Sequence, residues 1–433
     1  MSHIKSESFC VHPWTNLLVN NPGNYDFCCI TNKNMIRGED GKPLLAGNGD
    51  MPEEAWNAKS IRDVRKAMLK GEKLDICKNC WHQESIGKES YRTRHNQEWE
   101  QRVGTEELER RIQYSLKNDY TVDTVPDYLD LRLGNICNLK CRMCNPWNSN
   151  QIEKEHNSLK TNNKYADIWS RQTDSDINIP NLKNDWVEGD ELWRQLNSYI
   201  PKLKKVYFTG GEPTLVEDVY HFMKEIIAVG YQDKIDIMFN TNCTNLQPRF
   251  IEALSKFRNV QINASVDGVG EVNNYIRHPS NWKSINKNLR QIAHMPNVHL
   301  DMSPVIMIYN ILHISELMSY AEELSKACGR VIDVDFLYCQ TPAHLDPMNL
   351  DEETRTAAFI SLYKTQESWL YNNSDITRNN VDSYLNMLEG NRNDNWEQNM
   401  SDFWDATEIW DKTRGQTFKQ SIPNLYRMLH GKK

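Results

Sequence analysis

The stretch CNLKCRMC places three thiols, Cys137, Cys141 and Cys144, in a C-x3-C-x2-C spacing directly after a β-type run at 128–133. Three thiols so close on one loop constrain the chain more than any other feature, because they can be satisfied together only by a metal centre or by burial. Three thiolates at this spacing can ligate three irons of a cubane and leave the fourth iron open, whereas closed electron-transfer clusters use four. A zinc site or three buried cysteines is the competing interpretation of the spacing. Zinc normally takes a fourth Cys or His, and none follows in the loop.

The remaining cysteines sharpen this point. Of eleven in the chain, five lie near the N-terminus (Cys10, Cys28, Cys29, Cys77, Cys80) and three are isolated (Cys243, Cys328, Cys339). The first residues, MSHIKSESFC, carry no apolar leader, so a cytoplasmic location is expected, and in that reducing compartment the thiols are expected to bind metal, not to form disulfides. No apolar run reaches the roughly 18 residues of a membrane span. A formal charge of −8 makes nucleic acid an unlikely partner despite the local cluster of Lys202, Lys204 and Lys205.

With 433 residues the chain exceeds what one core fills, and its texture changes along its length. Residues 1–95 are rich in Asn, Gly and Cys and read as a small loop-dominated unit held by metal. Residues 96–124 read as a charged helical linker. From 125 to 345, β-type runs at 128–133, 204–208, 235–240, 260–265, 299–308 and 331–337 alternate with amphipathic helices at 216–229, 248–257, 282–294 and 314–327. Such alternation predicts an α/β fold, a partial (βα)6 TIM-type barrel whose site lies at the strand C-terminal ends. The polar stretch 145–190 is expected to be a substrate-side insertion or partly disordered. Residues 346–433 read as a helical extension rich in Trp, serving as packing or substrate cover.

On these residues, C-x3-C-x-Φ-C after the first strand, with Met143 as Φ, resembles the radical S-adenosylmethionine (SAM) superfamily. The string TGGEP after the second strand is similar to that family's glycine-rich motif. Gly210 and Gly211 permit close backbone approach, and the resemblance implies that Glu212 receives the SAM amino group. After the third strand, FNTNCTN sets Asn240, Thr241 and Asn242 where the family often reads TNG, with Cys243 in place of the glycine. The SVDG string carries Ser265 and Asp267 for the SAM ribose and neighbouring polar atoms. Arg277 in YIRHP resembles an arginine that pairs with the SAM carboxylate, and Val305 and Met307 are implied adenine contacts.

The N-terminal pattern C-x12-G-x4-C, from Cys10 through Gly23 to Cys28, resembles the SPASM and twitch extensions of radical SAM proteins. It is joined by HPW after Cys10 and by Cys77-Lys-Asn-Cys80 followed by WHQE. The resemblance implies one auxiliary [4Fe-4S] cluster on Cys10, Cys28, Cys77 and Cys80, with Cys29 as the spare thiol. A four-thiolate zinc site competes with it. This extension precedes the barrel, whereas it usually follows it.

The implied activity is reductive cleavage of SAM at a [4Fe-4S] cluster on Cys137, Cys141 and Cys144. It yields a 5′-deoxyadenosyl radical that abstracts a substrate hydrogen, with an electron donor such as flavodoxin or ferredoxin. The first expectation for the substrate is a peptide or protein, by analogy. The alternatives are a small molecule such as a nucleotide or sugar, or a non-catalytic iron–sulfur binding or regulatory protein. Cys243 is the isolated thiol placed nearest the expected site, as a hydrogen-atom donor or a small buried hydrophobe.

Overall fold

The computed structural model describes residues 6–31, 35–85, 87, 89–172, 186–188 and 190–431. The chain divides into two compact units. The first comprises Met1–Ile136, Asn181–Phe239 and Glu252–Asn259; the second comprises Cys137–Pro180, Asn240–Ile251 and Val260–Lys433.

In the first unit, strand Asn16–Val19 pairs antiparallel with Tyr25–Asp26 and parallel with Tyr128–Leu131, in the register Asn16↔Tyr128. Tyr128–Arg132 then pairs parallel with Lys205–Thr209, which pairs parallel with the Asp236–Phe239 part of the next strand. Leu17, Leu18, Leu129, Leu131, Val206 and Phe208 are fully buried, as expected for parallel strands covered on their faces. Helix Glu217–Ala228 supplies that cover by burying Val219, Phe222, Met223 and Ile226 at three- and four-residue spacing, with Phe222 edge-on to Phe208.

The stretch 1–95, expected to be dominated by loops, contains helices Pro52–Trp56, Lys59–Leu69 and Lys78–Ser85. Ile61, Val64 and Met68 give Lys59–Leu69 its buried stripe. The buried Arg65 guanidinium ties this helix to the carbonyls of Pro13, Trp56 and Tyr120. The segment expected as a helical linker is two helices, Tyr91–Val103 and Thr105–Lys117, separated at Gly104 with φ +92°. Trp99 is fully buried and stacks on Tyr128, so the first of these helices is part of the packed unit.

In the second unit, Val260–Ala264 pairs parallel with Val298–Met302, and Val305–Ile306 pairs parallel with Leu337–Tyr338. The continuous strand expected at 299–308 is therefore broken after Met302. Pro304 has no N–H to give to a ladder, and the Val305 N–H donates to the Asp267 carboxylate at 2.9 Å. The strand expected at 331–337 shrinks to a bridge between Met302 and Val334 and the pair at Leu337–Tyr338. Helices Trp282–Ala293 and Ile314–Cys328 lie where their periodicity placed them. Within the stretch 145–190, helices Asn150–Leu159 and Asn163–Gln172 are present, and residues 173–185 and 189 lie outside the described residues.

The C-terminal region is helical, as expected: Glu352–Tyr363, Asp375–Leu388, Trp396–Arg414 and Pro423–His430. Asp351 and Ser374 cap two of these helices by accepting the N–H of Thr354 and Thr377, respectively. Among the described residues no helix is long and apolar enough to cross a membrane.

Candidate functional site

The three-cysteine loop belongs to the second unit, where a short antiparallel pairing of Lys140–Cys141 with Arg277–His278 anchors it. Cys141 lies opposite Arg277 in that register, and the Arg142 N–H donates to the Ile276 carbonyl at 2.9 Å. Arg277 donates through Nη1 to Cys141 Sγ at 3.8 Å, and the Leu139 N–H donates to Cys137 Sγ at 3.5 Å. Arg277 is in turn held by Asp267, with Nε to Oδ2 at 2.6 Å and Nη2 to Oδ1 at 3.1 Å. Both partners are buried, so the pair is a fixed cation beside a thiol.

Burial pushes the Cys144 thiol up, and the neighbouring Cys141 and Cys137 push it further. Cys141 is also raised by burial, while Arg277 opposes that rise. Crowded thiols with donors aimed at their sulfurs suit a bound cluster, because thiolates bonded to iron need such hydrogen bonds and a nearby positive charge. The residues present therefore fit a [4Fe-4S] group.

The other residues expected around SAM fall into both units. Within the second, Asp267 is fixed on three sides: its N–H by the Asn273 side chain, its carbonyl by Asn310 and its carboxylate by Arg277 and the Val305 N–H. Asn310 also accepts the N–H of Met307, which is fully buried, whereas Val305 and Ser265 are half-buried. The Ser265 N–H donates to the Thr241 carbonyl at 2.8 Å, and Asn240 accepts from Asn263 at 2.8 Å. Cys243 stands where glycine was expected, and it takes a left-handed φ of +57°. Its fully buried thiol donates to the Thr241 carbonyl at 3.7 Å.

Within the first unit, the TGGEP turn packs against the backbone that follows strand Tyr128–Arg132. Gly210 has φ +119°, and a Cβ there would lie 2.6 Å from the Leu133 nitrogen; a Cβ on Gly211 would lie 2.3 Å from the Ile136 oxygen. Only glycine fits either place. The Glu212 N–H donates to Ile136 at 2.8 Å, and its buried carboxylate accepts from the Thr214 N–H and hydroxyl.

The N-terminal cysteines meet within the first unit. Gly23, at φ +85°, closes the hairpin between Asn16–Val19 and Tyr25–Asp26, with its N–H donating to Asn20 at 2.7 Å. Cys77 ends a 3-10 turn and Cys80 follows on helix Lys78–Ser85, so the two thiols are three residues apart on one face. Cys10, Cys28, Cys77 and Cys80 line one small cavity with Tyr91 and Arg92; Cys29 is not among its lining residues. Burial pushes the Cys77 thiol up to about 12, with Cys80 adding to the rise and Arg92 opposing it. Arg92 is clamped by both Glu84 oxygens and donates to the Phe9 carbonyl. Four thiols around one space, with one fixed cation, fit a four-ligand metal centre.

Sequence reasoning did not single out Arg142. It is fully buried, pairs with Asp411 at 2.6 Å and lies 3.7 Å from the Tyr275 ring centre. A charged residue between two cysteines of the loop was the available signal; its partners, more than 130 residues distant in sequence, left none.

Residues 131–320 match the radical SAM superfamily. Similar solved structures include native anSMEcpe with bound AdoMet, 18% identical with a TM-score of 0.37, covering 56% of this chain and 60% of that one. Streptococcus suis SuiB bound to S-adenosylmethionine is 15% identical with a TM-score of 0.37, covering 71% and 61%. SuiB bound to precursor peptide SuiA is 13% identical with a TM-score of 0.36, covering 67% and 60%. The chain thus spans about 60% of the length of these structures. No curated protein sequence matches it. Residues 131–320, which hold the first core strand's end, the three-cysteine loop and the βα elements that follow, are thus a radical SAM domain.

Proposed function

We propose that this chain is a radical SAM enzyme of the reducing cytoplasm that modifies a peptide or protein, with Cys137, Cys141 and Cys144 holding its SAM-binding [4Fe-4S] cluster. The observation that carries the reading is the loop itself, where three thiols crowd together and two of them receive hydrogen bonds, Cys137 from Leu139 and Cys141 from an Arg277 that Asp267 holds in place. When bound, such a cluster supplies one electron to the SAM sulfonium, which splits into methionine and a 5′-deoxyadenosyl radical able to take a hydrogen from the substrate.

The chain's own residues bind and orient. Arg277 is suited to the SAM carboxylate because its guanidinium is planar, always charged and already fixed in angle. Glu212 is assigned to the SAM ammonium. Gly210 and Gly211 bring the backbone close, and Asn240, Ser265 and Asp267 are assigned to the ribose and neighbouring polar atoms. Met143, Val305 and Met307 are assigned to the adenine. Cys10, Cys28, Cys77 and Cys80 are assigned to one auxiliary [4Fe-4S] cluster in a twitch-like N-terminal region at 1–95. Residues 125–345 are assigned to the core and 346–433 to a helical extension. A flavodoxin or ferredoxin is the donor class that fits a one-electron supply.

The test is anaerobic reconstitution of the full chain, followed by dithionite and SAM. Formation of 5′-deoxyadenosine by the wild type, and its fall to background with loss of about four irons per chain in the Cys137/Cys141/Cys144→Ala variant, are the expected results. Zinc alone at this triad would end the reading. A loaded cluster that binds SAM without yielding 5′-deoxyadenosine would favour a binding or regulatory protein.

A further inference from the structure

The second unit contains a cavity of about 260 Å3, and of its lining residues the roles above use only Met143 and Cys144. Its lining includes Arg142, Met143 and Cys144 of the three-cysteine loop and four large aromatic residues, Trp147, Tyr165, Trp169 and Trp410. Trp147 and Trp169 lie within 16° of parallel at 6.4 Å, and Tyr165 and Trp169 within 15° at 6.3 Å. These walls offer flat faces, which favour a flat guest by offset stacking. For scale, an apolar cavity of about 150 Å3 accepts a benzene ring, so this space takes a ring and part of whatever carries it.

One polar side chain of the lining is anomalous. His344 is 2% exposed, and both of its ring nitrogens are buried without a hydrogen-bond partner. It sits beside Trp410, with ring centres 5.8 Å apart, and the N–H of the preceding Ala343 is tied to Gln172 Oε1 at 2.6 Å. Burial lowers the imidazole to about 4, so it is neutral near pH 7 and presents one N–H donor and one nitrogen acceptor. Buried polar atoms are rarely left unpaired. The two ring nitrogens point away from each other, so an aromatic guest reaches one of them. A phenol pairs with that nitrogen in either tautomer, giving or taking a hydrogen bond, whereas an indole only gives and a phenyl ring does neither.

We propose that this cavity receives a phenolic ring of the substrate, a tyrosyl side chain whose hydroxyl hydrogen-bonds His344 while its face lies against Trp147 and Trp169. The inference deepens the peptide reading above and rests on it for the ring being part of the substrate. The test is a binding measurement that needs no SAM cleavage. The full chain carrying its iron is titrated by saturation-transfer NMR with N-acetyltyrosinamide and with N-acetylphenylalaninamide. The expected result is that the tyrosine amide binds about ten-fold more tightly, the discrimination that one well-made hydrogen bond gives. The preference should survive saturating SAM, fall to near parity in His344→Leu and vanish with binding itself in Trp169→Ala, with circular dichroism checking that each variant is folded. Equal affinity of the two amides, no binding of either, or an unchanged preference in His344→Leu would overturn it. Displacement of the tyrosine amide by SAM or adenosine would also overturn it, because the cavity would then be an adenosine site. Failure of the wild type to make 5′-deoxyadenosine would instead count against the enzyme reading, so the two failures are distinguishable.

Discussion

The two thiol groups of this chain are built on opposite plans. In the first unit, two cysteines that flank a hairpin and two at a helix start line one small cavity, with the clamped cation of Arg92 against it. In the second unit, three cysteines sit within eight residues on one loop, and the charge beside them, Arg277, is part of a short strand paired to that loop. Four ligands from distant parts of the sequence close a metal centre and cross-link the fold around it. Three ligands on one loop leave a coordination position for something other than protein. On the reading proposed above, ligand number and chain separation, not cysteine content, distinguish a centre that holds structure from one that can meet a substrate.

Three substitutions test that contrast. The largest effect is expected from Cys77→Ala, which should remove about four irons per chain from reconstituted protein while the electron paramagnetic signal of the three-cysteine centre persists. Unchanged iron content would remove the auxiliary cluster and leave the four-thiol group as a zinc site or as packing. Next is Asp267→Ala, which leaves the Arg277 guanidinium buried without its carboxylate. Breaking a buried pair costs about 3–5 kcal/mol, read as a loss of stability in urea unfolding of the apo chain. The iron held by the four-cysteine group should not change in that variant, and a fall there would erase the separation between the two centres. The smallest effect is expected from Cys29→Ser. Because Cys29 does not line the four-thiol cavity, iron content and 5′-deoxyadenosine formation should match the wild type, and loss of iron would make Cys29 the ligand in place of Cys28.

Much of the fold was legible because its signals are local. The alternation of β-type runs with three- and four-residue apolar spacing located helices such as Glu217–Ala228 and Ile314–Cys328 to within a residue or two. The strand at 299–308 was misjudged because Pro304 within it was not weighed as a break and because the Asp267 carboxylate captures the Val305 N–H from nearly forty residues upstream, which no local signal shows. The helices within 1–95 were missed because the frequent Asn, Gly and Cys drew attention from the short stripe of Ile61, Val64 and Met68. At Cys243, which stands where the family motif has glycine, the cysteine adopts a left-handed conformation that glycine takes readily.

The spacing of thiols and glycines along the chain determined by itself which chemistry this protein is equipped for, because metal ligands and close backbone approach demand particular residue types at fixed short intervals. What only the tertiary structure decided is which residues surround those points. The Asp267–Arg277 pair beside Cys141, the Arg142–Asp411 pair and the unpaired imidazole of His344 among tryptophans all join segments far apart in sequence. Such partnerships have no period or motif, since they arise when burial forces polar groups to find whatever partner the fold has brought within reach.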